Sequence, residues 1–259
     1  MEFPKTLTIN LFRKLHNKQI ETGHAKNVAN FETVTIILLG LGAVYNPSQA
    51  LIILAALQTK LTAAKAVMAA IDTAGADKAI AIDEREAEFE DLEKYAVNIK
   101  RTAEVEVNDE AFTKDLASII RKLQGGRAGE KPVDDPNTPD VNESLNANSV
   151  SQRSYDSLIA HLADLIALLK TKSSYNPNDV EMQIPSIEAK LAALQSKNNA
   201  AKTAIAAYGN AMDTRDEVLY NNDTGIIKLL KLIKTQLARK PGRDSTAYQQ
   251  INALEFRKN

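Results

Sequence analysis

One stretch of this chain occurs twice, and the recurrence restricts what the chain can fold into. Tyr45-Asn46-Pro47 opens a run that continues to about Val107, and Tyr175-Asn176-Pro177 opens a second that continues to about Leu237, offset by 130 residues without a gap. In the first run Leu57, Leu61, Ala64, Met68 and Ile71 begin a series at alternating spacings of four and three, which passes through Gly75, Arg85 and Phe89 to Ala103. The second run carries the same series from Ile187 through Ile205 and Arg215 to Ile233. Such spacing is a 3.5-residue period, which puts these side chains on one stripe of a long helix. Lys60-Leu61 recurs as Lys190-Leu191, and Asp83-x-Arg85 as Asp213-x-Arg215, so the sequence reads as a tandem duplication.

Composition agrees with helices. Gly (10) and Pro (8) are sparse and several fall in one segment, while Ala, Leu, Lys and Glu, all strong helix formers, are abundant. The formal net charge of −1 gives no global field towards nucleic acid or acidic lipid. The absence of Cys removes disulfides, thiol nucleophiles and Cys-based zinc sites. The N-terminus lacks the apolar region and small-residue cleavage site of a signal peptide, so the expected location is cytoplasmic, signal-less export aside. The most apolar span, Val34 to Leu57, is broken by Tyr45-Asn46-Pro47, and each half is short of the ~20 residues a transmembrane helix needs.

The chain divides into an N-terminal arm (1–27), a first helical repeat (28–124), a flexible linker (125–150) rich in Gly, Pro, Asp and Asn, and a second repeat (151–259). The first helix of repeat 1 is expected to start at an N-cap, Asn27 or Asn30, and its counterpart begins with Arg153–Leu158 aligned on Ala29–Val34. A further helix is expected over Glu110–Gln124, capped by Asn108-Asp109 and stopped by Gly125-Gly126, and a last one over about Thr246–Phe256. Two candidate breaks in the long helices, Thr73–Asp77 and Asn221–Gly225, do not align with each other. One nearly continuous helix per copy is therefore expected, about 48–106 and 178–239, against the alternative of a break in each copy and a compact bundle. Sixty residues of helix span roughly 90 Å, and the flanking short helices cover only ~22 Å each. The bare middles, near Arg85 and Arg215, then need each other. The expected fold is all-α: an elongated bundle of two repeats, each a short helix, a long coiled-coil-like helix and a short helix. The copies pack antiparallel about a pseudo-twofold axis.

An arginine on an apolar stripe must find a carboxylate or water. Asp83, Arg85, Asp213 and Arg215 are thus read as a register-setting ion-pair seam between the repeats, with an anion or small-ligand site at the two arginines as the alternative. The histidines are His16, His24 and His161, and Glu21-Thr22-Gly23-His24 alone does not make a carboxylate-histidine metal site. No nucleophile elbow, phosphate loop, zincin or calcium-loop motif occurs, so no catalytic, cofactor-binding or metal residue is assigned and no enzyme is expected.

The repeats differ most at residues 34–58. Repeat 1 carries Ile36, Ile37, Leu38, Leu39 and Leu41 before the turn and Leu51, Ile52, Ile53 and Leu54 after it, where repeat 2 carries charged residues. An apolar hairpin of this kind is a liability on a lone monomer. It is read as an interface with a second copy or another protein. Insertion into a membrane, as in helical pore-forming toxins, is the second reading, and deeper burial in the core the third.

The ordered run Arg153-Ser154-Tyr155-Asp156, Tyr175-Asn176-Pro177, Arg215, Leu219-Tyr220, Asp223-Thr224-Gly225 and Tyr248-Gln249-Gln250-Ile251 resembles a group of all-helical bacterial proteins with no known activity. The resemblance covers roughly the last 110 residues; repeat 1 shares mainly the Tyr-Asn-Pro turn and the Asp-x-Arg pair. It implies an all-helical fold and supplies no chemistry. The expected function is a non-enzymatic structural or protein-interaction protein that self-assembles through the hairpin.

Overall fold

The computed structural model describes the backbone of residues 5–125 and 153–257, and the side chains of 23–125 and 153–257. His16 and the linker expected beyond Gly125 lie outside the described side chains and backbone, respectively. The described chain is all-α. Its helices are α1 (Lys5–Gly40), α2 (Leu54–Phe89), α3 (Leu92–Glu106), α4 (Glu110–Leu123), α5 (Tyr155–Lys170), α6 (Ile184–Tyr220), α7 (Ile226–Leu237) and α8 (Thr246–Ala253).

Several boundaries follow from capping chemistry. Asp109 accepts a hydrogen bond from the Phe112 N–H to start α4, Ser154 accepts one from Ser157 N–H to start α5, and Ser245 accepts one from Tyr248 N–H to start α8. Pro185 is the second residue of α6, where the missing N–H costs nothing, so it starts the helix instead of bending it. The expected starts near residues 48 and 178 are replaced by single 3-10 turns, Ala50–Ile52 and Val180–Met182, ahead of α2 and α6.

Two expectations are corrected, and a third, an unbroken helix through Thr73–Asp77, is met. The arm and the first helix are one element, because α1 runs through Asn27 and Asn30 without a cap. Gly75 lies inside α2 and breaks nothing; the Tyr208 ring rests on it, its Cε2 being 3.4 Å from where a Cβ would stand. The second long helix is interrupted after Tyr220. There the Asn221 side-chain oxygen accepts from Asp223 N–H (2.9 Å) and Thr224 N–H (3.0 Å), and Gly225 restarts the chain as the cap of α7. In the first copy α2 and α3 meet at Glu90-Asp91, and Asp91 aligns with Asn221. The two interruptions therefore coincide, although one is written in Gly and Asn and the other in acidic residues that break nothing by themselves.

The chain forms two compact units, Met1–Asp77 with Ile205–Asn259, and Lys78–Ala204. Each unit joins residues from both of the expected repeats, 28–124 and 151–259. In the second unit, Leu92, Ala96 and Ile99 of α3 pack with Leu116 and Leu123 of α4, Leu162, Leu165 and Leu169 of α5, and Ile187 and Leu194 of α6. In the first unit, Phe31, Val34 and Leu38 of α1 pack with Leu57 and Ala64 of α2, Leu229 and Ile233 of α7, and Ile251 of α8.

Within each unit α2 and α6 run antiparallel. In the second unit Glu84 pairs with Lys197 (2.9 Å) and Glu88 with Lys190 (2.6 Å), in opposite order along the two helices. In the first unit Gly75 meets Tyr208, while Lys60 lies in the field of Glu217. The expected stripe is buried or half-buried throughout the first copy; in the second, Ile205 and Asn222 are exposed.

The first unit is closed by its C-terminal segment. Residues 254–257 follow α8 without helical structure and are hydrogen-bonded to α1. Asn27 donates to the Arg257 carbonyl (2.8 Å) and accepts from the Arg257 N–H (3.0 Å), and Asn30 donates to the Glu255 carbonyl (2.7 Å). The Asn27 amide also donates to the Tyr220 hydroxyl (3.0 Å), which is 2.6 Å from Nδ1 of the buried His24. The asparagines expected as helix caps thus serve as clamps, with partners more than 190 residues away.

Candidate interaction surface

The hairpin between α1 and α2 is built on its turn. Gly42 adopts φ 52°, which lets the chain leave α1. Tyr45 is buried and its hydroxyl donates to the Ile52 carbonyl (2.7 Å), locking the 3-10 turn that leads into α2. Tyr175 does the same to the Met182 carbonyl (2.6 Å) in the second hairpin, between α5 and α6. Burial pushes both phenols up to about 12. The Tyr-Asn-Pro motif is thus a structural lock in both places.

The helices leading into the turns are matched by their buried faces. Phe31, Val34, Thr35 and Leu38 are buried in α1, as are Leu162, Leu165, Ile166 and Leu169 in α5. This pairing is one residue off the general offset and replaces the expected alignment of Arg153–Leu158 on Ala29–Val34. It follows from helix packing, since only side chains on the inner face can be superposed.

What the two hairpins turn outward is different. Ile36 is 62% exposed, Leu39 55%, Val44 42%, Leu51 39% and Ile53 41%. Ile36, Leu39, Leu51 and Ile53 stand where the second hairpin has Ala167, Lys170, Glu181 and Gln183. Lys170 there pairs with Glu188 (2.5 Å), and the Gln183 amide donates to the Pro177 carbonyl (3.1 Å). Val180 is the one large aliphatic residue that the second hairpin exposes among those described. The other candidates in the first hairpin divide by the same geometry: Leu38 and Ile52 are buried in the core, and Ile37, Leu41 and Leu54 are half-buried. Val44, not singled out by sequence, joins the exposed set because Gly42 turns it outward.

No charged residue occurs from Thr33 to Thr59. The first charges beyond are Glu32, which pairs with Lys65 at 2.6 Å with both side chains about half-exposed, and Lys60, half-buried in the field of Glu217. By length and composition alone, the helical stretch Leu54–Glu106, α2 with α3, is apolar enough to cross a membrane, with 17% of its most apolar window buried.

The four seam residues are placed differently from each other. Arg85 lays its guanidinium over the Tyr155 ring, 4.0 Å from the centroid, and donates to the Asn198 side-chain oxygen (3.5 Å). Asn198 and Lys202 both donate to the Asp156 carboxylate (2.8 and 2.6 Å), and Lys202 holds that carboxyl below its usual range. Arg215 is buried and pairs with its neighbour Asp216 at 2.8 Å. Asp83 and Asp213 point to solvent, so neither Asp-x-Arg pair closes on itself. Ion pairs join α2 to α6 at Glu84 and Glu88, which lie between the stripe positions. Among the described residues no cluster of His, Asp and Glu is placed to hold a metal ion.

The clamp formed by His24, Asn27, Asn30 and Tyr220 has no sequence signal, since its members are isolated polar residues on helices and only the fold brings them together. Comparison with protein-family models, with curated proteins and with solved structures finds no match for this chain.

Proposed function

We propose that this chain is a non-enzymatic structural or protein-interaction protein that self-associates through the apolar hairpin 34–58. The observation that carries the reading is the contrast between two hairpins of the same build. One exposes Ile36, Leu39, Val44, Leu51 and Ile53, and the other exposes Lys170 and Glu181 at matching places. The Tyr-Asn-Pro lock and the core do not explain the contrast at Ile36, Leu39, Leu51 and Ile53, because both hairpins share that lock and bury matching helix faces. Full burial of one such aliphatic side chain is worth ~1.5–3 kcal/mol, so covering five half-exposed ones gives on the order of 5 kcal/mol per copy. That is a useful fraction of what association requires.

Light scattering coupled to size exclusion tests the reading. Concentration-dependent association of the wild-type chain, abolished by Ile36→Lys with Leu51→Glu at unchanged helix content, is the expected result. A strict monomer at several hundred micromolar overturns it. A second reading, insertion of the hairpin into a bilayer, draws on the charge-free stretch from Thr33 to Thr59; vesicle flotation that depends on the same residues would favour it. A ligand site at Arg85 and Arg215 has less support, since both guanidinium groups already have protein partners.

A further inference from the structure

The occupant of the hairpin can be named more closely. Resting on the self-association proposed above, we infer that the hairpin packs against the same hairpin of a second copy about a twofold axis, and that the assembly closes as a dimer.

The first argument concerns which surface can receive the patch. A head-to-tail contact needs a second, complementary apolar surface on the same chain. The natural candidate, the α5–α6 hairpin, presents Lys170, Asp179 and Glu181 to solvent. The remaining large exposed aliphatics among the described residues are Ile80, Val105, Val180 and Ile205, no two of them close in sequence. Isolated residues of this kind are ordinary on a protein surface. Among the described residues the patch therefore has one suitable partner on an identical chain, which is itself. A self-complementary contact uses up the patch on both copies, so growth stops at two.

The second argument separates a protein partner from a lipid surface. Segments that seat at a bilayer surface carry Trp or Tyr at headgroup depth and Lys or Arg towards anionic lipid. The chain has no Trp, the hairpin's Tyr45 is buried with its hydroxyl bonded internally, and no Lys or Arg occurs from Thr33 to Thr59. The nearest charges, Glu32 and Lys60, each face an opposite charge, Lys65 and Glu217 respectively, so the rim carries both signs and no block of one sign that would keep two copies apart.

The chain lacks cysteine, which makes single-cysteine probes clean. Ile36→Cys, Leu39→Cys, Val44→Cys, Leu51→Cys and Ile53→Cys are made separately in the full chain, with Val105→Cys, 83% exposed and in the other unit, as control. Each is oxidised under mild conditions. A twofold contact puts a residue opposite its own copy, so at least one hairpin variant forms covalent dimers at several times the control's yield. Light scattering of the wild type gives twice the chain mass of 28.3 kDa. Lys170→Leu with Glu181→Leu, which makes the second hairpin apolar, converts the dimer to open-ended assemblies. Wild-type assemblies larger than a dimer that dissolve with Ile36→Lys and Leu51→Glu overturn the closed dimer and leave self-association standing. A dimer indifferent to those changes, or a monomer with or without binding to phosphatidylcholine–phosphatidylglycerol vesicles, overturns both.

Discussion

Replacing Asn27 by Ala should unfasten the C-terminal segment from α1. The side chain is 1% exposed and makes three hydrogen bonds: to the Arg257 carbonyl (2.8 Å), to the Tyr220 hydroxyl (3.0 Å) and from the Arg257 N–H (3.0 Å). A typical intramolecular bond contributes ~0.5–1.5 kcal/mol net, and one left unmade in a buried site costs more than that. Part of the loss is recovered because Arg257 itself is exposed and can turn to water. The expected destabilisation of the first unit is about 2–3 kcal/mol. Asn30→Ala, which removes one exposed bond to Glu255, should cost less than about 1 kcal/mol. Urea unfolding followed by circular dichroism gives the global effect, and native-state hydrogen exchange at the Arg257 amide gives the local one. Asn27→Asp separates the contributions, since it keeps the acceptor for Arg257 N–H and loses both donors. A loss below ~0.5 kcal/mol in Asn27→Ala, with the Arg257 amide still protected, would refute the clamp.

Other consequences can be measured in the same way. Gly225→Ala should cost about 1–3 kcal/mol by overpacking, because a Cβ there stands 2.6 Å from the Asn221 carbonyl oxygen; an unchanged urea midpoint contradicts this. His161 is buried with neither ring nitrogen hydrogen-bonded, and the nearest carboxylate, Asp164, is 3.9 Å away. His161→Leu should therefore leave stability unchanged or raise it by about 1 kcal/mol, and a loss of that size would show an unseen partner. Tyr45 and Tyr175 are pushed from the model-compound value of 10.0 up to about 12 by burial, so their folded forms stay neutral longer than the unfolded chain does. The stability they contribute is complete below pH 10 and is lost as the pH rises to about 12. Tyr45→Phe with Tyr175→Phe should flatten the alkaline limb of the melting-temperature profile, and an unaltered limb would disprove the assignment.

The fold class and the stripe were legible because periodicity records packing directly. Leu57, Ala64, Ile71, Leu194 and Ala201 are on the stripe and in the core. The antiparallel pairing of α2 and α6 was legible for a related reason, since short flanking helices leave a long one half covered. The interruption at Asn221–Gly225 was misjudged because Glu90-Asp91, its counterpart, has helix-compatible side chains. The asparagines of α1 were read as caps because Asn is a good cap. Their amides are instead satisfied by residues 255–257, and a contact of that sequence separation leaves no local trace. The hairpin was legible as composition only. Which of its aliphatics face outward depends on the turn at Gly42 and on the helical phase of α1, so Leu38 and Ile52 went to the core while Ile36 and Ile53 did not.

The division of the chain into units also sets an order of events during synthesis. The second unit is one uninterrupted segment, Lys78–Ala204, whereas the first needs Phe31 and Leu57 to meet Leu229 and Ile251. Contacts that close over such a distance form late. At ~5–20 residues per second, the final segment Ile205–Asn259 takes several seconds to emerge after the second unit is complete. Throughout that interval the α1–α2 hairpin, the most apolar part of the chain, is outside the ribosome with its core face uncovered as well as its tip. The earliest-made hairpin is the last to be finished, and a nascent chain stalled between residues 204 and 226 should be the form that chaperones hold most tightly.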